Sequence, residues 1–346
     1  MFFKNCFKSF THYITPNYQI PSYIMDGYSQ YTCYTVAESG KSSPVKGLIN
    51  ISPPPQVSAS SWAVVNIHTG ECLWGKNSQA IRDIASLTKI MTLFVVKQCL
   101  RHKIITENDI VTVPREATLL GGTTANLRTN DQILLIDLLY GMMLPSGNDA
   151  AYTLAEYCGS LMAKDARIKR KKRCIGNVDF FVKQMNMWAK QLKLKNTLFL
   201  NPHGLSHLGN HSTASEISRI TSLLIKRPLI SQIVQTTKHT CIVHNSQIPR
   251  KLSFQNTNHL LGSAHVTGFK TGQTQTAGPC LSATFTTSST SLCITILKCR
   301  TAEKRWKEVL KLHEWAKTQL DQIFSFTDKT ITSKNLSNFI SALNNL

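Results

Sequence analysis

Three short motifs carry the residue types from which an acyl-transfer site could be built: Ser86-Leu87-Thr88-Lys89, Ser146-Gly147-Asn148 and Lys270-Thr271-Gly272. In a Ser-x-x-Lys pair on a helix, three residues make about one turn, so the hydroxyl and the amine share a face. At a helix start, backbone N–H groups and positive potential lie beside that hydroxyl. A second cation such as Lys270 would depress the Lys89 amine and let its neutral form accept the Ser86 proton. Lys270-Thr271-Gly272 reads as a strand, and Gly272 leaves that edge open to an extended substrate. Each motif alone is common. The three in this order, each in a matching secondary-structure context, form a specific constellation.

The elements around the motifs follow from the local patterns. Ser86 opens the apolar run IMTLFVVKQCL, in which Ile90, Leu93, Phe94 and Lys97 keep helical spacing. Upstream, SWAVVNIHTGECLWGKN holds two apolar runs joined at His68-Thr69-Gly70-Glu71, a hairpin. ILLIDLLYGMMLPSGNDAAYTLAEYCG reads as helix, Pro-Ser-Gly-Asn turn, helix. Helices resume at Asp179 and Ser215, with the loop NPHGLSHLGNHS between them. Strand-like runs HVTGFKTG, PCLSATFTT and SLCITILKC follow, then an amphipathic helix from Glu303 to Leu320. Strands, a helical middle and further strands point to an α+β protein whose antiparallel sheet joins both ends of the chain. Residues 1–57 show no sustained period and are expected to be an extended or poorly ordered leader. Order is expected from Ser60, with a catalytic region over 58–320 and a polar tail over 321–346.

Composition narrows the function classes. With 42% apolar residues the chain can bury a sizeable core, so wholesale disorder is excluded. A net charge of +20 favours polyanionic partners such as nucleic acid, anionic lipid or acidic wall polymer. Residues 164–173, KDARIKRKKR, concentrate that charge. No run approaches the roughly 20 apolar residues of a transmembrane helix, and the N-terminus lacks a readable signal peptide. The 10 cysteines show no CxxC spacing and read as reduced, mostly buried thiols. His203, His207 and His211 are spaced by four, but Pro202, Gly204 and Gly209 break any helix through them. No metal site or cofactor is expected there.

From about Ser60 to Leu320 the chain resembles the serine-type D-alanyl-D-alanine carboxypeptidases, the low-molecular-mass penicillin-binding proteins. The likeness runs through SWAVVNIHTGECLWGKN, ASLTKIMT, LIDLLYGMMLPSGNDAAYTLAEYCG, FVKQMNMWAKQLKLKNTLFLNPHGL, HSTASEIS, NTNHLL and GFKTGQTQTAGPCL. It implies the β-lactamase/DD-peptidase-like fold, a five-stranded antiparallel sheet flanked by helices with an inserted helical subdomain. It implies Ser86 as acylated nucleophile, Lys89 as general base, Ser146 and Asn148 completing proton relay and holding the substrate amide, and Lys270 and Thr271 on the substrate carboxylate. Backbone N–H groups of Ser86 and Gln273 would form the oxyanion hole, beside Gly272, and Arg305 in RTAEKRW would lie near that carboxylate. Peptidoglycan D-Ala-D-Ala peptides would be substrates and β-lactams covalent inhibitors. The compartment implied is the cell envelope.

Departures bound this reading. Family members often carry a C-terminal β-domain and anchor, whereas about 26 residues follow Leu320 here. A basic insertion at about 161–177 is expected to form a surface loop, with contact to an anionic polymer as its functional reading. A β-lactamase of the class A type needs Glu-x-x-x-Asn after the second motif. Between Ala150 and Leu200 the sole Glu is Glu156, with Ser160 four positions on. A non-catalytic relative binding peptidoglycan or polyanions is the alternative of a different class, and the intact motifs argue against it.

Overall fold

The structure is a computed structural model that describes residues 31–36, 42–49, 52–167, 176–205, 209–245 and 249–326. Two compact units divide the chain: Met1–Asn50 with Ser341–Leu346, and Ile51–Ile340. In the smaller unit the described part is an antiparallel pair, β1 (Tyr31–Val36) and β2 (Ser42–Ile49). Both strands fall in the region expected to lack a regular period.

The larger unit carries the three motifs. Its main sheet has the order β11 (Val266–Thr274), β12 (Gly278–Thr286), β13 (Ser291–Leu297), β3 (Ser61–Asn66), β4 (Cys72–Lys76), antiparallel throughout. The expected joining of both chain ends is therefore realised by the β13–β3 pair. Strands β3 and β13 read as near-continuous apolar runs because both their faces are covered. One cover is the last helix, α8 (Ala302–Phe326), and the other is α6 (Ala214–Ile225), whose Ser218 hydroxyl bonds Thr295 at 2.7 Å.

The inserted helical part holds α1 (Thr88–Arg101), the short α2 (Arg115–Thr118), α3 (Leu135–Met143), α4 (Asn148–Arg167) and α5 (Asn177–Gln191). Helix α1 is buried on nearly every side, from Thr88 to Val96, and forms the centre of the core. Short pairs β5 (Arg82–Asp83) with β8 (His211–Ser212), and β6 (Ile110–Thr112) with β7 (Gln132–Leu134), brace its approaches. Helix α7 (Pro228–Gln235) and the hairpin β9 (Lys238–Val243)–β10 (Arg250–Gln255) complete the unit. The His239 ring stacks on Tyr140 at 3.8 Å, and its Nε2 lies 2.6 Å from Asp137 Oδ1. The hairpin thus grips α3, the helix that leads into Ser146.

Three boundaries differ from the sequence reading. The chain is in place from Ser52, not Ser60: Trp315 Nε1 donates to the Ser52 carbonyl, and Glu308 accepts from the Ser58 and Ala59 amides. Helix α4 continues to Arg167, past the expected start of the insertion at 161, because Met162 and Ala163 are apolar and bury there. Residues 168–175 lie outside the described residues, as do Cys6, Cys174, His207 and the tail beyond 326. Helix α8 extends to Phe326, six residues past Leu320. The described cysteines outside β1 are free thiols, all buried except Cys72. Among the described residues no helix is long and apolar enough to cross a membrane.

Gly159 marks the tightest contact between the two helices that flank the insertion. A Cβ there would lie 2.1 Å from the Asn177 carbonyl oxygen at the start of α5. Gly159→Ala is expected to cost about 1–3 kcal/mol as α5 is pushed off α4. Urea denaturation measures it; a loss below about 0.5 kcal/mol would mean the contact relaxes freely.

Candidate active site

Ser86 sits in a single 3-10 turn, Ala85–Leu87, at the head of α1. The residue before it, Ala85, has φ +47, a left-handed conformation unusual for a residue with a Cβ. That conformation is clamped from two sides by glycines. A Cβ on Gly204 (φ +88) would lie 2.0 Å from the Ala85 oxygen; one on Gly272 would lie 3.0 Å from the Ile84 oxygen and 3.1 Å from the Ser86 nitrogen. The need for glycine at 272 is therefore contact with the turn bearing Ser86, a closer constraint than the open strand edge expected from sequence.

One turn beyond Ser86, at the start of α1, Lys89 is fully buried, and its Nζ has three partners among the described residues. It donates to Asn148 Oδ1 at 2.7 Å, to the His203 carbonyl at 2.7 Å and to Ser86 Oγ at 3.0 Å. The first two are carbonyl oxygens, which can only accept. The Asn148 amide cannot flip, because its Nδ2 donates to the Gly121 carbonyl at 2.7 Å. When Lys89 loses a proton, the two carbonyls keep the two remaining N–H groups, and the lone pair is left facing Ser86 Oγ.

Burial holds the Lys89 ammonium well below its ordinary 10.5, and the neighbouring Lys270 cation lowers it further; Asp149 acts in the opposite sense. Asp149 is committed elsewhere, accepting from the Ala125 and Leu127 amides and the Thr124 hydroxyl. Lys270 is itself buried and pushed down to about 7, first by desolvation and then by Arg305. Its Nζ donates to the Thr271 carbonyl at 3.1 Å.

Ser146 occupies the turn between α3 and α4 with φ +67, and its buried Oγ has no hydrogen-bond partner among the described residues. A buried hydroxyl left unpaired is costly unless a ligand or water completes it. The turn is pinned through its backbone: Thr123 Oγ1 donates to the Ser146 carbonyl at 2.6 Å, and the Asn148 amide to the Thr123 carbonyl at 2.8 Å. Thr271 Oγ1 lies 2.7 Å from Thr257 Oγ1, and Gln273, next on β11, is exposed. Arg305 is at one remove. Its Nη1 donates to the carbonyls of Gly272 and Cys280, both at 3.2 Å, so it grips the β11–β12 pair and is nine-tenths buried.

The structure brings Ser86, Lys89 and Asn148 together through Lys89 Nζ and sets Lys270, Thr271 and Gly272 on β11, with Arg305 of α8 bonded to the Gly272 carbonyl. Four contributors were not singled out from sequence. The His203 carbonyl acts through backbone. Asn210 and Asn201 shape its loop: Asn201 Oδ1 accepts from the His203 and Gly204 amides and from Asn210 Nδ2. Thr92 Oγ1 holds the loop to α1 through the Pro202 carbonyl at 2.6 Å. The Asn-Pro-x-Gly turn signal was present, but which carbonyl it would aim inward was not. The His203 ring is held neutral, down to about 3, by burial and by Lys89, and its Nδ1 accepts from the Leu205 amide.

The depressed Lys270 gives a pH signature. Between about 7 and its ordinary 10.5, the unfolded chain holds a proton that the folded chain has lost. Folding stability from this group therefore rises with pH across that window, by at most about 1.4 kcal/mol per pH unit, and is flat below it. Lys270→Met is expected to flatten the rise of unfolding free energy between pH 7 and 10. Equal slopes in wild type and variant would contradict the assignment.

Comparison with known proteins places these features in context. The sequence family described as D-alanyl-D-alanine carboxypeptidase matches residues 49–301. D-alanyl-D-alanine carboxypeptidase DacC of Escherichia coli is 33% identical over 269 residues, covering 75% of this chain and 62% of that protein. DacD of the same organism is 32% identical over 276 residues, covering 77% and 65%. The chain thus spans a little under two thirds of the length of these curated relatives. Among solved structures, the DD-transpeptidase of Streptomyces K15 superposes with a TM-score of 0.69 at 27% identity, covering 77% of this chain and 100% of that one. Penicillin binding protein 6B of Escherichia coli gives 0.66 at 31% identity, with 77% and 80% covered.

Proposed function

The chain belongs to the D-alanyl-D-alanine carboxypeptidase family, and on that premise we propose that it removes the terminal D-Ala of peptidoglycan stem peptides through an acyl-enzyme on Ser86. The observation that carries this reading is the coordination of Lys89 Nζ. Two carbonyl acceptors and one hydroxyl leave the neutral amine's lone pair a single direction, toward Ser86 Oγ.

In the proposed sequence, Ser86 Oγ bonds to the carbonyl carbon of the penultimate D-Ala while its proton passes to Lys89 Nζ. The oxyanion is met by the Ser86 and Gln273 N–H groups. The C–N bond then breaks, and the proton held by Lys89 passes to the leaving amine by way of Ser146 Oγ, a hydroxyl that has no partner among the described residues. Water attacks the ester carbonyl as its proton passes to Lys89, the bond to Ser86 Oγ breaks, and Lys89 returns that proton to Ser86 Oγ. Asn148 spends one Nδ2 proton on Gly121 and has the other for the substrate amide. The free carboxylate of the terminal D-Ala is assigned to Lys270, Thr271 and Arg305. A β-lactam would acylate the same serine.

Incubation with benzylpenicillin is expected to give one adduct, on the peptide containing Ser86. Ser86→Ala should abolish both the adduct and D-Ala release. Lys89→Arg keeps the charge but not a removable proton, so its acylation should fall by about a hundredfold or more. An adduct on another serine, or near-normal acylation in Lys89→Arg, would overturn the reading.

The basic run over 164–173 is further proposed to contact an anionic polymer. It carries seven cations, and Lys164, on the last turns of α4, is exposed. Changing Lys169, Arg170, Lys171, Lys172 and Arg173 to glutamine is expected to make polymer binding less salt-dependent while hydrolysis of a small peptide is unchanged. An unaltered salt slope would remove the proposal.

A further inference from the structure

Arg305 poses a problem that its hydrogen bonds do not solve. The residue is nine-tenths buried, one nitrogen bonds two carbonyls at 3.2 Å, and Nε has no partner among the described residues. No carboxylate is paired with it among the described residues. A buried, unpaired cation is costly and persists where something else stabilises and fixes it. Here the fixing group is aromatic. Arg305 Cζ lies 4.4 Å from the centroid of the Trp306 ring. Trp306 in turn stacks on His259, centroids 5.0 Å apart and planes 24° apart.

His259 is not an isolated contact. It follows Thr257 and Asn258 in a turn closed by the Leu260 amide on Asn258 Oδ1. Thr257 reaches back to the Thr271 hydroxyl at 2.7 Å and to the Leu144 carbonyl at 3.2 Å, just ahead of Ser146. The contacts form a closed ring: Gly272 carbonyl, Arg305, Trp306, His259, Thr257, Thr271. Strand β11 with its Lys270-Thr271-Gly272 segment completes it. The links from Arg305 to the Gly272 carbonyl and the Trp306 ring, from Trp306 to His259 and from Thr257 to Thr271 are made by side chains. The turn's own backbone joins His259 to Thr257, and Trp306 joins the two arms.

We infer that Trp306 is a positioning residue for substrate recognition: by joining Arg305 to the His259 turn, it holds the guanidinium and Thr271 at the separation that selects a substrate with a free C-terminal carboxylate. The inference rests on the proposed carboxypeptidase reading and on the place given there to Arg305. Trp306 touches neither Ser86 nor Lys89, so its removal should weaken selection of the carboxylate more than the chemistry. Phenylalanine keeps a ring face for both the guanidinium and the imidazole, and should keep most of the effect.

The test compares two peptides that differ at one group, a D-Ala-D-Ala peptide with a free carboxylate and the same peptide as its C-terminal amide. The ratio of their kcat/KM values is measured for wild type, Trp306→Ala and Trp306→Phe, each normalised to the fraction of chain acylated by benzylpenicillin. Wild type is expected to favour the carboxylate, Trp306→Ala to lose about tenfold of that preference through KM, and Trp306→Phe to retain most of it. A merely structural role would lower both peptides by the same factor. An unchanged ratio in Trp306→Ala, or equal loss on both peptides, overturns the inference alone. A wild type that cleaves neither peptide overturns the carboxypeptidase reading and this inference with it, and one that cleaves both equally overturns the carboxylate assignment on which it stands.

Discussion

A buried lysine amine, with no carboxylate bonded to it among the described residues, sets the terms for everything around it. Taking an ammonium out of water costs several kcal/mol even after relaxation. Lys89 meets part of that cost with carbonyl and hydroxyl acceptors instead of an anion, and the buried Lys270 cation nearby raises the cost of the charged form further. A carboxylate partner would have been the stabilising choice. It would also have kept the amine protonated. The arrangement found favours the neutral base, and stability is given up at the place where a base is wanted.

The rest of the fold can be understood as the means of holding three acceptors on one nitrogen. They come from segments far apart in the chain: the head of α1, the head of α4 and the loop at 201–204. Each needs its own support. The Ser86 turn is confined between Gly204 and Gly272, whose missing side chains allow backbone to meet backbone. Asn148 is oriented by Gly121, and its turn is pinned by Thr123. The His203 carbonyl is aimed by Asn201 and Asn210 and held to α1 by Thr92. Strand β11 then closes the site from the sheet side, bringing Lys270 near enough to be felt by Lys89.

Much of this was legible in the sequence, because the motifs are local. Ser86 and Lys89 share one turn of one helix, and Lys270-Thr271-Gly272 share one strand, so their relations follow from helix and strand periods. The main sheet was legible for a similar reason: its inner strands are apolar on both faces. What escaped was carried by backbone or by polar alternation. The His203 carbonyl leaves no mark in a side-chain pattern. The β9–β10 hairpin does alternate, burying Cys241, Val243, Leu252 and Phe254, but Ile242 on its outer face is 57% exposed and blurs the pattern. Met162 and Ala163 carry α4 onward into what the following charges made look like a loop. Arg305 was expected near the substrate carboxylate, and only the coordinates show its Nη1 laid against the carbonyls of Gly272 and Cys280.

The titration of Lys89 itself bears most directly on this account. In protein labelled with 13C at lysine Cε, the Lys89 resonance can be assigned by its absence in Lys89→Arg and followed with pH. The account requires its midpoint to lie well below the ordinary 10.5. A midpoint at or above 10.5 would mean that the buried nitrogen stays an ammonium, and that the proton of Ser86 must go elsewhere.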